Sequence, residues 1–74
     1  MVYQYYVPSI NVRKLRDFKL SQETCGRGRK VLWHIVGELN FGGALIEQFI
    51  ASSESKEELL VWADMNNIKI EELQ

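Results

Sequence analysis

The chain has few of the residues that build cross-links and metal sites. It contains one cysteine, Cys25, and one histidine, His34, among 74 residues. A single cysteine forms no internal disulfide, which excludes a disulfide-stapled secreted miniprotein and suits a reducing compartment. One His and one Cys also fall short of the usual ligand count of a zinc site. We therefore expect a cytoplasmic protein that uses neither a metal ion nor any other cofactor.

Long hydrophobic segments and catalytic motifs are also missing. The longest apolar run, residues 31–36, includes His34, whereas a membrane helix needs about 20 apolar residues. The first eight residues lack the basic start and apolar stretch of a secretory signal peptide. Gly26 and Gly28 begin a dinucleotide-binding pattern but lack its third glycine, and a Cys25–His34 pair lacks an orienting group. The sequence thus predicts a protein with no membrane partner that is not an enzyme.

The remaining composition is that of a folded domain. Hydrophobic residues make up 46% of the chain and charged residues 26%, both typical of globular proteins. Residues 1–74 are enough for a single small globular domain. Because so short a chain buries only a modest core, a second copy would supply extra burial, and a homo-oligomer is one expected partner.

One helix is well marked in the second half of the chain. Ser55 and Glu58 form a capping-box pattern directly before an apolar run, which is typical of a helix start. Asn66 and Asn67 suit the left-handed conformation that ends a helix. The sequence therefore predicts a helix over residues 55–66.

The first half of the chain favours strands. Residues 2–7 are rich in β-formers and end at Pro8, and residues 30–38 form a β-branched, aromatic run bounded by glycines. The glycines and arginines of residues 23–29 predict a loop, and residues 40–43 a turn. A short last strand is expected near residues 68–70.

Two segments fit both kinds of structure. Residues 10–22 match a helical stripe or a strand that begins near residue 16, and residues 44–51 have helical spacing although they follow a tight Gly-Gly turn. Together these patterns predict an α+β fold, a small antiparallel sheet of three to four strands packed against one C-terminal helix. A small all-α bundle with an N-terminal strand is the alternative.

Charge is distributed very unevenly along the sequence. Residues 1–37 hold seven cations and two carboxylates, a net charge of +5, and residues 38–74 hold two cations and eight carboxylates, a net charge of −6. Such asymmetry bears on partners rather than on fold. It is the one sequence feature that points to a function.

The cations predict contacts to phosphate groups. Lys and Arg on one connected surface neutralise phosphates and release counterions, which supplies the affinity of nucleic-acid binding. We therefore interpret the chain as a small non-enzymatic nucleic-acid-binding or regulatory module, against the simpler interpretation of a solvated charged surface. The candidate binding residues are Arg13, Lys14, Arg16, Lys19, Arg27, Arg29 and Lys30.

The acidic half supports an alternative. A negative face on the C-terminal helix, or an apolar patch, would make the chain a protein-binding adaptor or inhibitor, and its small size suggests a viral or mobile-element origin. Its partner would then be another protein, and the basic surface could equally meet an acidic protein surface.

The double variant Arg27→Ala/Arg29→Ala tests the expected basic loop. We expect weaker nucleic-acid binding with an unchanged melting temperature, because exposed loop charges contribute little to stability. Fluorescence anisotropy and thermal unfolding measure the two quantities. A large drop in melting temperature would show that these residues do not lie in an exposed loop.

Overall fold

The computed structural model describes residues 1–8, 13–26, 28 and 30–71, without the side chains of Cys25 and Glu71. The chain forms five strands and one helix. In chain order they are β1 (Tyr3–Gln4), β2 (Arg16–Cys25), β3 (Lys30–Phe41), β4 (Ala44–Ser53), α1 (Lys56–Met65) and β5 (Ile70–Glu71).

All five strands belong to one sheet, in the order β1-β4-β3-β2-β5. β1, β4, β3 and β2 are antiparallel neighbours, and the two-residue β5 pairs parallel to β2. The α+β prediction of a small antiparallel sheet with one C-terminal helix is therefore confirmed, and the all-α alternative is wrong. Within the described residues, no helix has the length and apolar character that crossing a membrane requires.

The central strand β3 sorts its side chains onto two faces of the sheet. Alternation along a strand places Trp33, Ile35, Gly37 and Leu39 on one face, and α1 covers this face. Ile35 is fully buried there against Leu59 of α1. The other face carries the even-numbered side chains of β3, from His34 to Asn40, and none of the described helical residues covers it.

Gly37 lies where β3 is approached most closely from the covered face. A Cβ atom at this position would lie 3.0 Å from Cε1 of Phe18 and 3.2 Å from Cδ2 of Leu15. Contacts this short are tighter than ordinary packing allows. The absence of a side chain at Gly37 therefore lets Phe18 and Leu15 pack directly on the sheet.

The helix begins and ends close to where its caps predict. The Glu58 N–H donates to Oγ of Ser55 at 3.3 Å, and Asn67 has a φ of 58° just beyond the helix. The second half of the capping box is replaced, because the Ser55 N–H donates to Oγ of Ser53 at 3.1 Å. The Glu58 carboxylate instead pairs with the α-ammonium group of Met1.

Two expectations on the strands need correction. The strand expected over residues 2–7 is limited to Tyr3–Gln4, although the Tyr5 N–H still donates to the Ile50 carbonyl of β4. The loop expected over residues 23–29 begins later, because residues 23–25 continue β2 and pair with β3 as far as Cys25↔Lys30. Gly26 follows with a φ of 73°, the turn conformation expected of it.

Residues 44–51, which also matched a helix, lie in β4. Val36 pairs with Phe49 and Ile35 with Ala51, so Ile50 is an extra residue in a β-bulge. The bulge turns Ile50 into the core beside Ala51. Because apolar side chains lie on both faces of β4, this extended segment has apolar positions with helical spacing.

Truncation of Leu59 tests the packing of α1 on the sheet. Leu59 is fully buried between α1 and β3, so we expect Leu59→Ala to lower the free energy of unfolding by about 2–5 kcal/mol. Val61→Ala, at a position of the same helix that is 60% exposed, should change it by less than about 0.5 kcal/mol. Urea denaturation measures both, and equal effects would contradict this packing.

Candidate nucleic-acid interface

Four of the predicted binding residues lie at one end of β2. Arg13 and Lys14 form the turn that leads into the strand. Arg16 is the first residue of the strand and Lys19 the fourth. The strand is irregular here, because Asp17 has a φ of 53° and the pairing with β3 shifts between Arg16 and Lys19. This bulge increases the local twist and bends the basic end of β2.

Three of these cations, Arg13, Lys14 and Arg16, line a surface groove, which we call the basic groove. It has a volume of about 450 Å³ and is lined by Arg13, Lys14, Arg16, Asp17, Glu38, Asn40 and Leu45. Pairing of Arg16 with Glu38, and of Glu38 with Glu47 on β4, places three strands side by side at this position. The groove is therefore positioned by the regular part of the sheet as well as by the turn.

Lys19 differs from its neighbours because its charge is already paired. Its Nζ donates to Oε1 of Glu38 at 2.9 Å. This hydrogen bond, together with the attraction of the same carboxylate, raises the pKa of Lys19 above its ordinary value. Within the described residues, no carboxylate lies within 4.0 Å of the charged groups of Arg13, Lys14 or Arg16. Those three cations are thus the ones available to an anionic ligand.

The carboxylates near the groove limit its positive charge. Asp17 and Glu38 line it, and Glu47 is close enough to Lys19 to favour its charged form. With the four cations, these three carboxylates leave a net charge of +1. The groove is therefore basic mainly through the geometry of its unpaired cations rather than through a large excess of charge.

The remaining candidates lie elsewhere or outside the described residues. Lys30 pairs with Cys25 at the opposite end of the β2–β3 hairpin from Arg16, which is about 30 Å away at roughly 3.3 Å per residue. The structure therefore brings four of the candidates together and separates Lys30 from them. Arg27 and Arg29 fall outside the described residues, so their part in binding stays a prediction.

A polar and aromatic cluster lies beside the groove on the open face of the sheet. His34 is buried; its Nε2 lies 3.0 Å from Oε2 of Glu23. Its ring stacks on Phe49 at 5.1 Å between centroids, and Tyr5 packs against both rings. Nε2 of His34 thus has a partner, whereas its buried Nδ1 has none within the described residues. No local sequence pattern marks the stack, because His34 and Phe49 are brought together by the pairing of β3 with β4.

The cysteine and the acidic residues are the other side chains that the sequence singles out. Cys25 is the last residue of β2 rather than a loop residue. Among the described residues, no three His, Cys, Asp or Glu side chains lie together in a way that would hold a metal ion. Glu57, Glu58 and Asp64 are exposed on α1, in keeping with an acidic helix face.

No protein-family model, curated protein or solved structure matches this chain. Its function is therefore inferred from its own side chains.

The variant Glu38→Gln tests the ion pair that holds Lys19. Loss of the carboxylate removes both the charge-assisted hydrogen bond and the attraction, so we expect the pKa of Lys19 to fall toward the ordinary lysine value. An NMR titration of the Lys19 side chain measures this change. Glu57→Gln, the same substitution on the exposed face of α1, should leave Lys19 unaffected. An unchanged pKa in Glu38→Gln would contradict the pair.

Proposed function

We propose that this protein is a small non-enzymatic module that binds nucleic acid through the basic groove, and that it acts by regulating or occupying its target rather than by chemistry. The single supporting observation is the grouping of Arg13, Lys14 and Arg16 around one groove, exposed and without a carboxylate partner among the described residues. We further propose a cytoplasmic setting, since a lone cysteine suits a reducing compartment.

Affinity in this proposal comes from phosphate neutralisation. Each arginine offers a planar set of N–H donors that matches two phosphate oxygens, and Lys14 adds a point charge. Because these cations lie on a turn and at a strand end, they reach a phosphate backbone without a change in the sheet. Phosphate contacts of this kind position a nucleic acid but carry no sequence information, so we expect weak sequence preference.

Lys19 has a different part in the proposal. Its ammonium group is held by Glu38 in the free protein, so a phosphate has to compete with a carboxylate for it. Exposed pairs of this type are worth little, about 0–1 kcal/mol. A phosphate can therefore replace Glu38 as the partner of Lys19 at little cost in free energy. Lys19 becomes a fourth contact only when a ligand is present.

The proposed surface extends to the other end of the β2–β3 hairpin. Lys30 lies there in the structure, and Arg27 and Arg29 are its neighbours in sequence. A duplex that ran the roughly 30 Å along β2 would span about nine base pairs at 3.4 Å each. Binding that uses both ends should then show a steeper salt dependence than binding to the basic groove alone.

Protein binding is the second candidate function. It is favoured by exposed apolar side chains on β4, Leu45, Ile46 and Phe49, and by the acidic residues of α1. An adaptor or inhibitor would bury such an apolar patch against its partner as a hot spot. Its affinity would persist at high salt, whereas nucleic-acid binding would not.

The salt dependence of binding is the experiment that tests the proposal. We expect the logarithm of the affinity for DNA or RNA to fall with the logarithm of salt concentration at a slope of about −3 to −4, on the order of 0.9 per neutralised phosphate. The double variant Arg13→Ala/Arg16→Ala should reduce the magnitude of that slope by about 2. Anisotropy titrations with single- and double-stranded oligonucleotides between low and moderate salt measure it.

Two single-site variants complete the test. Lys56→Ala removes one cation from the start of α1, where its Nζ lies 5.2 Å from the Trp33 ring, and should leave the slope unchanged. Glu38→Gln should strengthen binding, because it frees Lys19 and removes a carboxylate from the groove. No binding at low salt would exclude the proposed function, and equal losses in Lys56→Ala and Arg13→Ala/Arg16→Ala would exclude the groove as its site.

A further inference from the structure

One edge of the sheet is only partly covered. β1 pairs with β4 at Ser52 and Ala51, and the Tyr5 N–H donates to the Ile50 carbonyl at 2.9 Å. Among the described residues, no strand pairs with residues 44–49 on that side. Unpaired N–H and C=O groups along a strand edge are a template for another strand.

The uncovered edge is apolar. Leu45 is 72% exposed, Ile46 48% and Phe49 43%, and Glu47 is the one charged residue among positions 44–49. Contiguous exposed apolar patches mark interaction surfaces.

The opposite edge of the sheet, formed by β2, is polar. Beyond its short pairing with β5, β2 exposes Ser21, Gln22, Glu23 and Thr24. Polar and charged side chains of this kind protect an edge against pairing with another chain. The two edges therefore do not match each other, which disfavours head-to-tail association.

We propose that the β4 edge binds the β4 edge of a second copy of this chain, in antiparallel pairing about a two-fold axis. A two-fold axis perpendicular to the sheet reverses the strand direction and keeps each face on its own side, so an edge of this kind is complementary to itself. The contact is then isologous and closes at two copies. The result is a continuous sheet with both α1 helices on one face and both basic grooves on the other.

One register matches the exposed side chains. With Glu47 on the axis, Leu45 of each copy lies opposite Phe49 of the other on the open face, and Ile46 lies opposite Gln48 on the covered face. Apolar pairs directly opposite each other stabilise a sheet. The two Glu47 carboxylates meet in this register, and each has Lys19 of its own copy near enough to offset part of its charge.

The size of the contact sets the expected strength. Six paired residues and three apolar side chains from each copy bury on the order of 1,000 Å² in total, which is the lower limit of specific interfaces. We therefore expect a reversible dimer that dissociates at micromolar concentration. This inference does not depend on nucleic-acid binding, and each can fail without the other.

Sedimentation equilibrium of the purified chain, without nucleic acid, tests the dimer. We expect the mass to rise from one copy to two between low micromolar and high micromolar concentration. Leu45→Lys should raise the dissociation constant at least tenfold, because a lysine on the edge blocks pairing. Val61→Lys, at a similarly exposed apolar position of α1, should leave it unchanged.

Amide hydrogen exchange locates the contact. In the wild type we expect alternate amides of residues 44–49 to become protected as concentration rises, and those of residues 20–25 to stay as they were. A monomer at every concentration would overturn the proposal and leave the edge to a strand from a different protein. A dimer that Leu45→Lys does not weaken, or that protects residues 20–25 instead, would overturn it as well.

Discussion

The rest of the structure depends on how the two faces of β3 are assigned. Ile35 and its alternate neighbours are buried beneath α1, and the side chains between them lie on the other face. Because the side-chain period of a strand is two, a shift of one residue would exchange the faces completely. Burial of Ile35 against Leu59 therefore fixes where Glu38 lies. Through strand pairing, it also fixes which residues meet at the basic groove.

The assignment of the faces also determines how the basic and acidic halves of the sequence meet in the folded chain. The basic and acidic halves of the sequence are not separate regions in space, because β2 carries cations next to Glu38 of β3 and Glu47 of β4. Lys19 is consequently paired with Glu38, while the cations of the turn and of the strand start are left available. The open face thus combines a groove with three available cations and an apolar edge at Leu45. If two copies pair along β4, their grooves lie on the same face and can contact one ligand together.

Some of this organisation could be predicted from sequence. The helix was marked by Ser55 and the paired asparagines, since caps are local chemistry, and the strand character of β3 followed from its β-branched run. β4 could not be separated from a helix, because apolar side chains on both of its faces give an extended segment the apolar spacing of a helix. The length of β2 was also missed, since Gly26 marks the turn but pairing with β3 carries the strand up to it.

The candidate site was predictable in composition but not in arrangement. The cations were evident from sequence, yet the pairing of Lys19 and the distance between Lys30 and Arg16 follow from strand register, which no local pattern encodes. The open edge of β4 depends on where β1 stops, which is likewise a tertiary property.

The most direct test of this account is the register of β3, read from cross-strand nuclear Overhauser effects in the free protein. The structure predicts backbone contacts of Glu38 with Arg16 on one side and with Glu47 on the other. Contacts shifted by one residue would place Arg16 or Glu47 on the opposite face of the sheet from Glu38, and would contradict the basic groove.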